Sequence, residues 1–309
     1  MILQHNISAQ KVSWVKSNKR RLESIKAIDN LYFPETTTEF LDLTKDFYGR
    51  SEPFDIIGHS SNTLFLPSYH TKNLISIKRL KDYRETDNTI ICESGVSVSQ
   101  LSKAMIEKGY VGFEGLTDLP GTIAAAVYGN CGCRGCSVNN LLKSFTFIKE
   151  TGEVVELTVE DLSLRYRSTS IKRGELKGVI LCVTLKKEKG NVEQLKAAAE
   201  KNHQIRLTQQ PSGANNLGTT INGGAKKSLK GYCFVILEKI IKLLIGGNDD
   251  RKSFLILLRL VGMSKFVPYV YYWNRYMFLD ETAHDLFQEY LLFIKTLYSD
   301  ARLEIEIKK

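Results

Sequence analysis

Gly115-Leu116-Thr117-Asp118-Leu119-Pro120-Gly121-Thr122-Ile123-Ala124-Ala125-Ala126-Val127-Tyr128-Gly129-Asn130 joins a Leu-Pro-Gly turn, a run of small residues and a second glycine turn. Proline holds one backbone dihedral, and glycine admits backbone geometry that a side chain forbids. Ala124 to Ala126 keep side-chain bulk low. That suits a backbone lying against something large and flat, or donating main-chain N–H groups to phosphate oxygens. A tight loop followed by a small-residue helix packed on a sheet has the same pattern. The segment alone leaves both readings open.

Upstream of this loop, Asn30 to Pro34 reads as a strand ending in a turn, and Thr37 to Phe47 as a helix capped by Thr37 or Thr38. Phe54 to Ile57 is a short strand running into Gly58-His59-Ser60-Ser61-Asn62, and Thr63 to Leu66 continues extended. Leu74 to Ile77 and Thr89 to Glu93 are further strands, and Ser97 to Gly109 is a helix with Val98, Leu101, Ala104, Met105 and Ile106 on its apolar side. Downstream, Ser144 to Ile148 and Glu153 to Leu157 flank Lys149-Glu150-Thr151-Gly152 as a hairpin. Val179 to Leu185 is a buried strand, and the charged stretch Lys186 to Lys201 joins two regions, partly as a helix. An aromatic block follows at Tyr269 to Phe278, then a helix at Glu281 to Leu297 and a terminal strand at Leu303 to Ile307. Strands interspersed with helices predict an α+β fold.

The 309 residues suffice for two ordinary domains, and a 43% hydrophobic fraction supports a core without covalent staples. The net charge of +9 suits an anionic cofactor or substrate, a nucleic acid or an acidic membrane surface. Lys19-Arg20-Arg21 and Lys226-Lys227 read as solvated faces, and no nucleic-acid-binding motif accompanies them, so no nucleic-acid partner is expected. The first residues hold no apolar run of signal-peptide length, which predicts a cytoplasmic protein.

The most hydrophobic region, Cys233 to Met263, is interrupted by Glu238, Lys239, Lys242, Asp249, Asp250, Arg251, Lys252 and Arg259. It therefore reads as two amphipathic or buried helices around Gly246-Gly247-Asn248-Asp249-Asp250 and not as a membrane span. Contact with a membrane surface stays open. Cys131, Cys133 and Cys136 form C-x-C-x-x-C beside Gly132 and Gly135. Zinc or an iron–sulfur cluster needs a fourth ligand, so the spacing reads as small residues in a glycine-rich turn, with no metal.

The order of these pieces resembles the UDP-N-acetylenolpyruvoylglucosamine reductase family, flavoenzymes with an FAD-binding domain of the vanillyl-alcohol-oxidase (PCMH) type. His5-Asn6 resembles the family's opening His-Asn, and Gly58 to Asn62 its G-x-G-S-N loop with Ser60 in place of a glycine. Ser94-Gly95-Val96 fits its next glycine turn. Gly115 to Ala126 resembles G-I-P-G-T-V-G-G-A, Asn130 to Gly135 resembles N-A-G-A-Y-G, and Tyr166 to Lys172 resembles Y-R-x-S-x-F-K. Arg206 and Gln210-Pro211 resemble the residues leading to G-S-x-F-K-N-P, which appears here as Gly218 to Gly224 without its lysine and asparagine in register. Leu303 to Ile307 resembles L-E-x-E-V. Lys226 to Tyr276 resembles nothing in the family.

The resemblance implies a two-lobed FAD-binding domain over residues 1–190, followed by a smaller, diverged α/β substrate domain over 191–309. It implies FAD held by Gly58, His59, Ser60, Ser61, Asn62, Gly115, Pro120, Gly121, Thr122, Ala126, Asn130, Gly132 and Val179. His59 is expected to hydrogen-bond and not to carry FAD covalently. It implies NADPH as donor and a nucleotide-sugar substrate contacted by Tyr166 and Asn222, in peptidoglycan synthesis. Arg167 and Glu306 would stabilise the enolic intermediate, and Thr219 would stand where the family has its proton-donating serine. Two other readings stay open: a diverged oxidoreductase acting on another nucleotide-sugar or surface-polysaccharide precursor, and a flavin-binding scaffold without catalysis.

The chemistry is consistent with these residue types. Hydroxyls and turn N–H groups suit a pyrophosphate. An arginine supplies a planar fork of donors for a developing enolate, and a hydroxyl within reach can deliver a proton.

Overall fold

The computed structural model describes residues 11, 25–210, 216–222, 226–247, 249–280 and 282–309. The readings at His5-Asn6, Lys19-Arg20-Arg21, Pro211, Gly223-Gly224, Asn248 and Glu281 lie outside the described residues. Contacts divide the chain into two units. The first holds Ile28–Ser60 and Thr71–Thr208, and the second holds Ser61–His70 and Gln209–Lys309.

In the first unit β1 (Ile28–Tyr32), β2 (Asp55–Ile57) and β4 (Thr71–Ser76) form a parallel sheet in the order β1-β4-β2. The intervening β3 (Thr63–Phe65) belongs to the second unit. Parallel strands need a crossover, and helix α1 (Thr37–Gly49) lies between β1 and β2 in the chain, burying Phe40, Leu43 and Phe47. Its cap is Thr36, not Thr37 or Thr38. Thr36 keeps extended backbone angles and its hydroxyl accepts the Glu39 N–H at 3.1 Å, whereas Thr37 and Thr38 already lie in the first turn.

The second sheet of this unit is antiparallel. It runs β10-β9-β11-β6-β5, with β5 (Tyr83–Glu85), β6 (Thr89–Glu93), β9 (Leu142–Lys149), β10 (Val154–Leu157) and β11 (Gly178–Lys186). β11 pairs on both sides, and Val179, Ile180, Leu181, Val183 and Leu185 are all buried, the apolar run expected of an interior strand. Helix α2 (Val98–Glu107), capped by Ser97, buries Val98, Leu101, Met105 and Ile106. The Ala-rich segment forms a short helix, α3 (Ile123–Tyr128), with Ile123, Ala124, Ala126 and Val127 in the core. β7 (Gly132–Cys133) and β8 (Cys136–Ser137) make a tight hairpin. Arg134 and Gly135 at its tip both have positive φ, 50° and 81°, as a two-residue turn of this hand requires. The charged stretch after β11 becomes helical only at α4 (Val192–Gln209). Leu195 of α4 is buried in the first core, and its Asn202 donates to the Glu114 carbonyl at 3.1 Å.

The second unit pairs β12 (Ile221–Asn222) with β15 (Arg302–Leu303), β13 (Val270–Tyr272) with β14 (Arg275–Tyr276), and β16 (Glu306–Lys308) with β3. Helices α5 (Leu229–Leu244), α6 (Asp250–Leu260) and α7 (Thr282–Leu297) surround a core that includes Phe234, Phe254, Leu257, Phe287, Tyr290 and Ile294. The aromatic block is the β13–β14 hairpin. Tyr276 is fully buried, with its ring against Phe278, Phe287 and Tyr290, so this block packs the core. Leu303 to Ile307 is not one strand. Leu303 pairs antiparallel with Ile221, Glu306 pairs parallel with Thr63, and the chain turns at Glu304-Ile305 between two different partners. Glu304 and Glu306 therefore do not share one strand face.

Candidate functional site

Several strand ends of the first unit converge at one place. Ile57 pairs with Ser76, so Gly58 follows directly beside the end of β4. A Cβ at Gly58 would lie 2.6 Å from Thr122 Oγ1, so the Gly58 backbone rests on Thr122. After β6, Gly95 approaches so closely that a Cβ there would meet the Ile77 carbonyl oxygen at 1.8 Å. The loop before α3 is tied in by two backbone bonds: Ile123 N–H donates to Val96 O at 2.8 Å, and Ala124 N–H to Ser94 O at 3.2 Å.

Three hydroxyls result from this convergence. Ser76, Ser94 and Thr122 are fully buried, and none of their side-chain oxygens has a hydrogen-bond partner among the described residues. A buried hydroxyl without a partner costs about 1–3 kcal/mol. Of these, Thr122 lies against the Gly58 backbone. Of the three, sequence reasoning singled out only Thr122 as a site residue. The available signal was positional: Ser76 and Ser94 each end an apolar strand where the chain turns.

Ser60, just after Gly58 in the chain, adopts a left-handed conformation with φ 51° and donates its hydroxyl to the His59 carbonyl at 2.8 Å. Burial, reinforced by the Lys78 charge, holds the His59 imidazole below its usual pKa, so it is neutral near pH 7.

The second turn is knitted around Arg167. Asn130 has φ 46°, and its side chain donates to Arg165 O at 2.8 Å. The Arg167 guanidinium donates to Asn130 O at 3.2 Å and Gly132 O at 2.6 Å, and stands 5.4 Å from the Tyr166 ring centroid. Thr169 fastens the same loop to α3 by donating to Tyr128 O at 2.8 Å. Gly115 has no room for a side chain, since a Cβ would meet Cys133 O at 2.4 Å, and its N–H donates to Cys136 Sγ at 3.3 Å. Burial chiefly raises the Cys136 thiol pKa. Among the described residues no group of three His, Cys, Asp or Glu side chains assembles to hold a metal. Pro120 and Tyr166 are exposed, Ala126 and Val179 are buried, and Gly121 has φ 119°.

Ser61 and Asn62 fall in the second unit. There Asn62 is held by the end of the chain: its side chain donates to Glu304 O at 2.9 Å, and its carbonyl accepts the Glu306 N–H at 2.9 Å. Asn222 donates to Glu304 Oε1 at 3.1 Å, and Glu304 N–H donates to Thr220 O at 3.0 Å. Asn62, Asn222 and the Glu304–Glu306 backbone are thus one hydrogen-bonded group, with Thr219 half-buried beside Thr220. Arg167 lies in the first unit, and Thr219 and Glu306 in the second. Glu304 was not singled out from sequence as a site residue, although it is the acid that fastens Asn222.

Residues 28–158 match the family described as an FAD binding domain. The chain is 31% identical over 193 residues to the UDP-N-acetylenolpyruvoylglucosamine reductase of Clostridium kluyveri, covering 62% of this chain and 63% of that one. It is 30% identical over 186 residues to the reductase of the same name from Alkaliphilus oremlandii, covering 59% and 60%. The chain therefore spans less than two thirds of the length of these curated relatives. The crystal structure of the UDP-N-acetylenolpyruvylglucosamine reductase (MurB) from Thermus caldophilus shares its fold, with a TM-score of 0.64 at 18% identity over 90% of this chain and 92% of that one. The fold is α+β, as expected from sequence. Over these spans the chain is similar to the UDP-N-acetylenolpyruvoylglucosamine reductases, and its residues 28–158 match an FAD binding domain.

Proposed function

We propose that this chain is an FAD-dependent oxidoreductase that reduces the enolpyruvyl ether of a UDP-sugar in the cytoplasm, with NADPH as electron donor. The observation that carries the reading is the close packing of the Gly58 and Gly115 turns, where a Cβ would meet Thr122 Oγ1 at 2.6 Å and Cys133 O at 2.4 Å, within the residues 28–158 that match an FAD binding domain. A diphosphate accepts hydrogen bonds from hydroxyl and backbone N–H donors, which glycine turns of this kind supply. The absence of a Cβ at Gly58 lets backbone N–H groups come close to it. Gly121, Ala126, Asn130 and Val179 are the residues assigned to the flat ring system. When bound, FAD supplies the hydride-transfer chemistry that no side chain performs.

The side chains do the rest. Arg167 is held by two carbonyls and braced on Tyr166, so its charge sits in a defined place before substrate arrives. A preorganised cation stabilises an enolate developing beside the substrate carboxylate. Thr219 takes the proton-donor role with its hydroxyl, and Glu306 assists at the enol. Asn222 contacts the sugar, with Glu304 fixing its amide.

A second reading, another nucleotide-sugar or surface-polysaccharide precursor as substrate, is favoured by Thr219 in place of serine and by the missing Lys-Asn register after it. The absorbance spectrum of the purified protein tests the first step: absence of bound flavin, and no uptake of added FAD, refutes both readings. Anaerobic stopped-flow bleaching by NADPH, then reoxidation by UDP-N-acetylglucosamine enolpyruvate, separates them. Reoxidation only by other sugar nucleotides selects the second. No bleaching by any nicotinamide identifies a scaffold without catalysis.

A further inference from the structure

Helix α5 is apolar on two opposite sides. One side carries Phe234 and Ile241 into the core of the second unit. At 100° per residue, the other side gathers Leu229, Tyr232, Ile236, Ile240, Leu243 and Leu244 in an arc of about 120°. All six are exposed, Leu229, Leu243 and Leu244 by 82%, 81% and 78%. A helix that is hydrophobic all round is ordinarily covered all round. An exposed stripe running the length of a 16-residue helix, about 24 Å, is a surface awaiting a partner.

Charge decides the kind of partner. Lys230 and Lys239 project at the two margins of the arc, and Lys226 and Lys227 precede the helix, with Lys227 Nζ 5.8 Å from the Tyr232 ring centroid. No acidic residue lies on the arc. Glu238, the single acid of α5, projects on the opposite side, and Asp250 of α6 is ion-paired with Lys242 at 2.5 Å. A second copy of the chain docked isologously on this stripe would set these lysine margins against each other. An apolar face with an aromatic at one end, bordered by lysines with long aliphatic stems, matches the boundary of an anionic bilayer. Among the described residues no helix is long and apolar enough to cross a membrane, so the contact is interfacial.

We propose that α5 is a membrane-surface anchor: its exposed stripe enters the headgroup boundary of an anionic lipid leaflet while Lys226, Lys227, Lys230 and Lys239 pair with lipid phosphates. The inference does not depend on the redox reading.

The test is co-sedimentation of the full-length protein with phosphatidylglycerol vesicles, phosphatidylcholine vesicles and none. Binding is expected to phosphatidylglycerol alone and to weaken as salt rises. Lys230→Gln with Lys239→Gln is expected to lower the partition coefficient by about fivefold per lysine. Leu243→Glu with Leu244→Glu is expected to abolish binding, and circular dichroism unchanged from wild type checks that these exposed positions leave the fold intact. Failure to bind phosphatidylglycerol, equal binding to phosphatidylcholine, or unchanged binding by the leucine pair overturns the proposal. So does a concentration-dependent dimer in light scattering that the leucine pair dissociates while vesicle binding is absent.

Discussion

Replacing Gly58 with alanine places a methyl carbon 2.6 Å from Thr122 Oγ1 and 2.9 Å from Thr122 Cγ2, where ordinary contact begins near 3.4 Å. Thr122 has little room to retreat. It is fully buried, and the two residues after it are tied to Val96 and Ser94 by backbone bonds of 2.8 and 3.2 Å. Overpacking of this kind costs about 1–3 kcal/mol. Urea unfolding of the flavin-free protein measures it. Thr122→Ala removes both offending atoms and leaves only Cβ, at 3.3 Å from the introduced methyl. The double variant is therefore expected to recover most of the loss, a coupling of about 1–2 kcal/mol between two residues that touch. Affinity for FAD behaves differently. Thr122→Ala deletes a hydroxyl assigned to the diphosphate, and a hydrogen bond to a charged group contributes about 1.5–3 kcal/mol, or roughly 10- to 150-fold in Kd. That loss persists in the double variant, and fluorescence titration with FAD reads it. Additive stability losses would refute the steric contact, and undiminished FAD affinity in Thr122→Ala would refute the role of its hydroxyl.

Arg167→Ala is expected to keep FAD bound and to keep NADPH-driven bleaching, while enolpyruvyl-driven reoxidation slows by about 100-fold or more. Arg167→Lys is not expected to restore it, because an ammonium cannot reach the Asn130 and Gly132 carbonyls with a planar fork. Stopped-flow reoxidation at the wild-type rate sinks that assignment. Glu238 titrates at about 7, raised chiefly by burial and further by Asp250, with Lys242 and a Tyr272 hydrogen bond pulling the other way. As pH rises from 4.5 toward 7 the unfolded chain ionises this group first, so stability falls across that window and stays low above it. The side chain is partly solvated, which reduces the expected penalty to ~1 kcal/mol. Glu238→Gln should match wild type below pH 4.5 and exceed it by that amount above pH 7 in urea melts, and an unchanged midpoint at pH 8 contradicts the desolvation argument.

The parts legible in the sequence are those whose cause is local. Gly58 to Asn62, the Leu-Pro-Gly turn before α3 and the Lys149 to Gly152 turn read correctly as loops because glycine, proline and serine act on the backbone within a few residues. The α2 helix and the β9–β10 hairpin follow from the apolar period. The cap of α1 was misplaced by one or two positions because Thr36, Thr37 and Thr38 carry the same capping chemistry, and only the backbone angles distinguish them. The break in Leu303 to Ile307 was invisible for a different reason: a continuous alternating pattern does not reveal that Leu303 and Glu306 pair with strands far apart in the chain.

Sequence by itself determined the glycine turns, the resemblance to a flavin-binding family, and the candidate residues Arg167, Thr219 and Glu306. Tertiary structure alone decided that Ser76, Ser94 and Thr122 end as buried hydroxyls without partners among the described residues, because a hydroxyl's partner is set by which strand ends meet. It alone decided that Asn62 is fastened to Glu304 across 242 residues. It also decided that α5 turns one apolar side to the core and leaves the other in solvent. A hydrophobic period shows that a helix has apolar faces, but the number of neighbours available to cover them is a property of the whole fold.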